Sequence, residues 1–437
     1  MGYYPHSLGS AAGKISLIMA LSIKQFEKKI RWLLRGTLVL SLAYAIFSYS
    51  LTDPNLVLTS WQPYWNFQQL MWQYFFNNRQ LLTITYGVLI VGWFALYLWG
   101  LKLTYSIKET AQQQTWLKKR FFIGWLIAIS PLLLSYNALS HDVFNYIFNA
   151  KIVWVYQANP HVSVALDFAT DNWTRFMHNT HTPAPYGYGW TALSLIPYAL
   201  GFHKFLPTWL IFRLFAVLSV GLLLKVLQKL SRQLRGQPLS FHCLWLVFFN
   251  PLLIIEVVSN QHNDLWMMVP ALAAFWLIMR LPTKHNWPKI VGSAALLAFS
   301  ISIKLGTAVL LPFWLIGIAR AFWPKIKRVF SWERLLLFSS IALFIPLLTE
   351  RSQQFLPWYL LWSLVWLSLV KARWWRAWVL VFSFTALLRY LPWLQALEYN
   401  GQVLLEQKWL LWGGGFLLWF SWYIWSVWRQ MRYNKTQ

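Results

Sequence analysis

Five polar stretches in this chain carry residue types that do chemistry, and each interrupts apolar sequence. The first is SHDVFNY, residues 140–146, where Asp142 follows His141 and precedes Tyr146. A carboxylate at a partly desolvated boundary holds its proton more tightly, unless a basic neighbour keeps it ionised and able to act as a general base. The alternative is a helix cap, with Ser140 or Asp142 starting a helix. The second is SNQHNDLWMM, residues 259–268, where His262, Asn263 and Asp264 stand together shortly after Glu256. Capping by Asn263 or Asp264 is the alternative here too. A lone His-Asn-Asp triplet lacks the spacing of paired metal ligands.

The third is NPH at 159–161 together with PYGYG at 185–189. Proline and glycine set turns there, which is compatible with an ordinary structured loop. The same turns could aim Tyr186, Tyr188 and His181 at a polar substrate. The fourth is Lys304 in SISIKLGT, a lone cation between two apolar runs. It needs a partner or an anionic ligand, unless it snorkels to lipid head groups. The fifth is TERSQQFLPWYLLW, residues 349–362, with Arg351, Gln354, Trp358 and Tyr359. An aromatic belt would explain the last two equally well. Taken together, amides and aromatic faces suit a sugar, and Lys304 and Arg351 suit a phosphate.

The elements that must position these residues follow from composition. Of 437 residues, 58% are hydrophobic and 11% charged, with 32 Trp and 31 Phe. Soluble domains carry about 25% charged residues. Apolar runs long enough to cross a hydrocarbon core of about 30 Å recur along the chain. The expected fold is an all-α polytopic membrane protein, read as one domain over residues 1–437. About twelve spans are expected, at 32–52, 81–101, 121–139, 208–228, 241–258, 265–281, 289–303, 305–322, 334–349, 355–370, 375–392 and 409–428. Thr191–Gly201 is apolar but too short to span and contains Pro197, so it is read as interfacial or re-entrant. Residues 143–157 are read as an interfacial helix, and the aromatic and polar loop at 53–80 as interfacial too. A large outer loop, 140–207, then carries the expected active site.

The net charge is +26, with the basic residues concentrated between apolar runs and near the chain ends. Such clusters fix orientation and contact anionic lipids, so no nucleic-acid partner is expected. The positive-inside rule puts both termini in the cytoplasm and the five polar stretches on the outer face of the cell membrane. Nine of the twelve acidic residues then fall toward that face: Asp53, Asp142, Asp167, Asp171, Glu256, Asp264, Glu350, Glu398 and Glu406. The single cysteine, Cys243, excludes an internal disulfide.

The order HDVFNY, ANPH, PYGYG, NPLLIIEVVSNQHNDLWMM, SIKLGTAVLLP and FLPWYLLW resembles the glycosyltransferase C superfamily. Within it, the chain is most similar to bacterial polyprenyl-phosphate-mannose-dependent α-mannosyltransferases, over roughly residues 120–365. The resemblance implies a membrane enzyme that moves a sugar, mannose first, from a polyprenyl-phosphate donor to a lipid or glycan acceptor, with inversion. It implies that Asp142 is the catalytic base and that His262, Asn263 and Asp264 line the site. YGYG followed by Trp190, where many relatives have Tyr-Gly-Pro, and a His after ANP, where a Tyr often follows, leave the sugar open.

The site expected from these readings comprises Asp142 as base, with His141, Tyr146, Tyr186, His262, Asn263, Asp264, Lys304, Arg351, Gln354 and Tyr359 binding substrate. Lys304 and Arg351 would meet the leaving phosphate, so neither a metal nor another cofactor is expected. The alternatives are a transporter or flippase of a lipid-linked or anionic solute, and another polyprenyl-lipid glycan enzyme. A transporter should show repeated halves and midplane charges, and neither is visible.

Overall fold

A computed structural model describes residues 23–53, 56–105, 111–281, 287–349 and 355–435. Arg351 and Gln354 lie outside the described residues, as does Glu350. The described chain is helical throughout, with no strand. Six helices are long and apolar enough to cross a membrane: Glu27–Leu51, Arg79–Tyr105, Phe205–Arg235, Leu305–Phe322, Arg373–Ala396 and Gly401–Met431. A seventh is the bent pair Phe241–Phe248 and Pro251–Ser259, broken by 49°. Arg120–Leu134, Asp264–Ile278 and Trp287–Ile303 are apolar and shorter.

Of the twelve expected spans, 121–139, 265–281 and 289–303 form these shorter helices, and two more form no long helix at all. Residues 334–349 divide into a helix at Trp332–Ala342 and a 3-10 turn at Ile345–Leu348. Residues 355–370 fold as a 3-10 turn, Pro357–Leu360, then the short helix Leu361–Leu364 and further turns. Leu360 to Val370 are buried throughout. A hydropathy window counts apolar residues alike whether they face lipid or protein, and irregular backbone is tolerated where protein covers it.

Four local features build the site. Helix α1, Asp142–Trp154, follows the large apolar segment and was expected to lie at an interface. Instead Val143 to Ala150 and Ile152 are buried, including Asn145 and Asn149. Its 3.6-residue apolar stripe is real, but protein encloses the polar faces as well. Helix α2, Tyr188–Leu200, is the apolar segment thought too short to span. At 13 residues it is about 20 Å long. It packs against α1, against α3 (Phe205–Arg235) and against the helix that ends at Ile303.

The third feature is the break after α4, Phe241–Phe248. Proline cannot continue a helix, and the residue before it avoids helical angles. Asn250 adopts ψ 124°, and its side chain accepts from the Leu252 amide at 2.9 Å. The chain then winds a wide turn over Ile254–Ser259, which ends as Gln261 takes φ 61°. The fourth feature is a hairpin. Helix α5, Asp264–Ile278, packs against α6, Trp287–Ile303. The Ser300 hydroxyl donates to the Met267 carbonyl at 2.7 Å, and Ser293 donates to Ala274 at 2.9 Å. The two helices, 15 and 17 residues, are nearly equal in length. Lys304, just past the end of α6, therefore returns to the level of Asp264 at the start of α5.

Candidate functional site

Asp142 is the first residue of α1, and Asp264 is the first residue of α5. At neither helix does the residue before it cap through its side chain. Each carboxylate sits where exposed amides favour negative charge. Each also reaches across the fold, so capping does not describe either one.

Asp142 Oδ2 accepts from the Tyr186 hydroxyl at 2.6 Å and lies 3.4 Å from His262 Nδ1. The other ring nitrogen of His262, Nε2, lies 3.3 Å from Glu256 Oε2. Both separations are long for hydrogen bonds, so the contacts are chiefly ionic. Burial disfavours the charged Asp142, but His262, then Tyr186 and Lys304, outweigh it and hold its pKa below the ordinary carboxylate value. Burial likewise opposes a charged His262, but Asp142 and Glu256 outweigh it and raise its pKa. Burial and the neighbouring Asp142 push the Tyr186 phenol well above its ordinary value, so it remains a donor. Among the described residues, none bonds Asp142 Oδ1.

Lys304 Nζ donates to Asp264 Oδ1 at 2.8 Å, and Trp362 Nε1 donates to the same oxygen at 2.6 Å. The ammonium also stands 5.3 Å from the centre of the Tyr186 ring and 5.8 Å from that of Tyr359. Snorkelling therefore does not describe Lys304. Asp264 and Asn263 are fully buried, yet Asp264 Oδ2 and both Asn263 amide atoms have no hydrogen-bond partner. Buried polar atoms are nearly always paired in folded proteins, so this is where a ligand would find its contacts.

Tyr186 reaches both halves because its loop docks tightly. The Gly187 amide donates to the Ile303 carbonyl at 3.0 Å. A Cβ on Gly187 would sit 2.0 Å from the Ser302 carbonyl oxygen, and one on Gly189 would sit 2.1 Å from the Ser302 hydroxyl. Only glycine allows that approach. Tyr146 packs edge-on against Tyr186 and Trp190, at 5.0 and 4.9 Å. Trp358 stacks on His262 at 3.8 Å.

The structure thus brings together Asp142, Tyr146, Tyr186, His262, Asp264, Lys304 and Tyr359, with Asn263 between two of them in sequence. His141 is adjacent in sequence but packs its ring against His178 at 3.9 Å, and against Tyr136 and Phe144. Burial, then His178, push its pKa down to about 3, so it is neutral. Glu256, Trp362 and Tyr390 were not singled out as site residues. Glu256 had a signal, a carboxylate within an apolar run. Trp362 and Tyr390 had none. Among the described residues, no cluster of three or more His, Cys, Asp or Glu side chains could hold a metal ion. A cavity of about 130 Å³ beside Arg31, Arg120, Trp245 and Phe249 shares no lining residue with this cluster.

The family comparison falls on the same elements. A family model described as Alpha-(1->6)-mannopyranosyltransferase, N-terminal domain, matches residues 38–320, well over half the chain. The chain belongs to this family. Asp142, Tyr186, His262, Asp264 and Lys304 all lie within the matched region, and Tyr359 lies beyond it. A Mycolicibacterium smegmatis protein named Probable alpha-(1->6)-mannopyranosyltransferase is 27% identical over 212 residues, 42% of this chain. The match covers 37% of that relative's length. No solved structure matches the chain significantly.

Proposed function

We propose that this protein is a membrane mannosyltransferase that moves mannose from a polyprenyl-phosphate donor to a hydroxyl of a lipid or glycan acceptor. Asp142 is the general base. Its Oδ1 takes the acceptor proton as the acceptor oxygen attacks the anomeric carbon. The bond from that carbon to the phosphate oxygen breaks, and the polyprenyl phosphate leaves carrying the negative charge. Attack opposite the phosphate inverts the anomeric centre. Lys304, with Arg351, stabilises the leaving phosphate electrostatically. Tyr146, Tyr186 and Tyr359 supply faces for the sugar, and Asn263, Asp264 and His262 line it, with His141 shaping the wall through His178. The basic segments between apolar runs support placing the reaction on the outer face with both termini cytoplasmic.

The observation that carries this reading is the state of Asp142: Oδ2 is engaged by Tyr186 and His262, while Oδ1 has no partner among the described residues. Family membership supports mannose. The test uses the purified full chain in lipid vesicles with radiolabelled polyprenyl-phosphate mannose and a short mannoside acceptor. Transfer that persists in EDTA is the expected result. Failure to transfer from any polyprenyl-phosphate sugar would overturn the donor class.

A further inference from the structure

Glu256 is a buried carboxylate, fully enclosed, that the reaction above does not use. A buried charge persists only when it is paired and hydrogen-bonded, because desolvation otherwise costs several kcal/mol. Each of its oxygens is engaged. Oε2 accepts from Asn260 Nδ2 at 2.9 Å and faces His262 Nε2 at 3.3 Å. Oε1 accepts from the Tyr390 hydroxyl at 3.2 Å. The carboxylate is therefore fixed from two directions, and its remaining contact is with His262. The imidazole is fixed in turn, stacked on Trp358. Its other nitrogen meets Asp142 on the oxygen already held by Tyr186.

We propose that Glu256 is a positioning residue for the transfer reaction, acting through His262 to keep Asp142 ionised and its Oδ1 turned to the acceptor hydroxyl. This rests on the function proposed above. Two carboxylates flank one imidazole, so the ring keeps its proton, and of the two only Asp142 has an oxygen without a partner among the described residues. During transfer the acceptor proton moves to Asp142 Oδ1 and no other proton changes place. After product release Asp142 returns that proton to water. The groups facing this triad are Tyr186, Tyr146, Lys304, His141 and His178 toward Asp142, and Tyr390, Tyr44, Tyr86 and Arg389 toward Glu256. Lys304 already belongs to Asp264. Among the described residues Arg389 makes no salt bridge with Glu256, which leaves His262 as its closest cationic partner.

The test reads His262 without substrate. The full chain, labelled with 15N-histidine and held in detergent micelles, is titrated by NMR, and the His262 signal is identified by its loss in H262Q. In wild type the ring titrates above free histidine; in E256Q it titrates lower by about one pH unit or more. E256D, which keeps the charge, restores most of the shift. In mannosyl transfer, E256Q lowers kcat with the donor KM unchanged, and H262Q, which removes the cation beside Asp142, moves the acid limb of the rate profile to higher pH. E256Q/H262Q lowers kcat no further than H262Q alone, because the effect runs through the ring. An identical His262 titration in wild type and E256Q overturns the proposal, as does a merely additive double variant. Should E256Q not be recovered as a monodisperse protein, H262Q with an unmoved acid limb overturns it. A shifted titration in a chain that transfers no mannose keeps the coupling and discards the enzyme reading instead.

Discussion

Among the described residues, two aspartate–lysine pairs are built differently. Asp171 pairs with Lys151 at 2.5 Å, and its carboxylate is used up. The Tyr156 hydroxyl donates to Oδ2 at 2.8 Å, the Trp173 amide donates to Oδ1 at 2.9 Å, and the Lys151 ammonium rests 3.8 Å from the Trp173 ring. Asp264 pairs with Lys304 at a similar distance, but its Oδ2 is buried with no partner, and the Asn263 amide beside it is equally unsatisfied. Asp142 shares the second pattern, with one oxygen held and one left over. Satisfied clusters of this kind fasten a fold; a buried carboxylate with an oxygen to spare can still take a ligand or an ordered water. The Lys151–Asp171 pair ties α1 to the loop that follows it, whereas the Asp142–His262 and Asp264–Lys304 contacts join three distant stretches.

The comparison can be broken most severely at Lys304. In Lys304→Met, Asp264 remains buried and unpaired, and the cost in stability should be about 3–5 kcal/mol. Thermal unfolding in detergent measures it. Adding Asp264→Asn should recover most of the stability, while transfer stays absent in both variants. Recovery of transfer in the double variant would show that the pair serves only packing.

Gly187→Ala tests the docking that gives Tyr186 its place. The residue's φ is an ordinary −77°, so strain is not the issue; the added Cβ would meet the Ser302 carbonyl. The 185–189 loop should lift and carry Tyr186 away from Asp142, lowering kcat/KM about 100-fold, the scale of a 1 Å misplacement. A rate near wild type would mean that Tyr186 does not set the base.

Tyr156→Phe sharpens the other side of the contrast. It removes one hydrogen bond to Asp171 and should cost about 1 kcal/mol of stability. The transfer rate, measured below the unfolding transition, should be unchanged.

Much of the site was legible in the sequence because chemistry-bearing residues are rare in so apolar a chain. Asp142, His262, Asp264 and Lys304 stood out as polar types where polar types are costly, and PYGYG stood out as a turn. The pairings were not legible. That Lys304 returns to Asp264 depends on two helices of nearly matching length folding back on each other. That Trp362 donates to Asp264 depends on an irregular segment reading as a span but folding inside the protein. Glu256 lies within the expected span 241–258, and only the break at Asn250–Pro251 and the wide turn after it bring its carboxylate to His262. Twelve apolar stretches meet six long apolar helices, or seven with the bent pair, for the same reason: hydropathy reads apolar character, not what the apolar residues face.

The central claim is that the carboxylate left unsatisfied does chemistry and the satisfied one does not. Asp142→Asn and Asp171→Asn, assayed side by side for mannosyl transfer from polyprenyl-phosphate mannose, put it to the test. Asp142→Asn should lose a factor of about 10²–10⁴ in kcat, the usual contribution of a positioned general base, with donor binding retained. Asp171→Asn should keep its rate within about threefold at a temperature where it remains folded, as a structural substitution outside the site should. Near-wild-type turnover by Asp142→Asn, or an equal loss in both variants, would contradict the account.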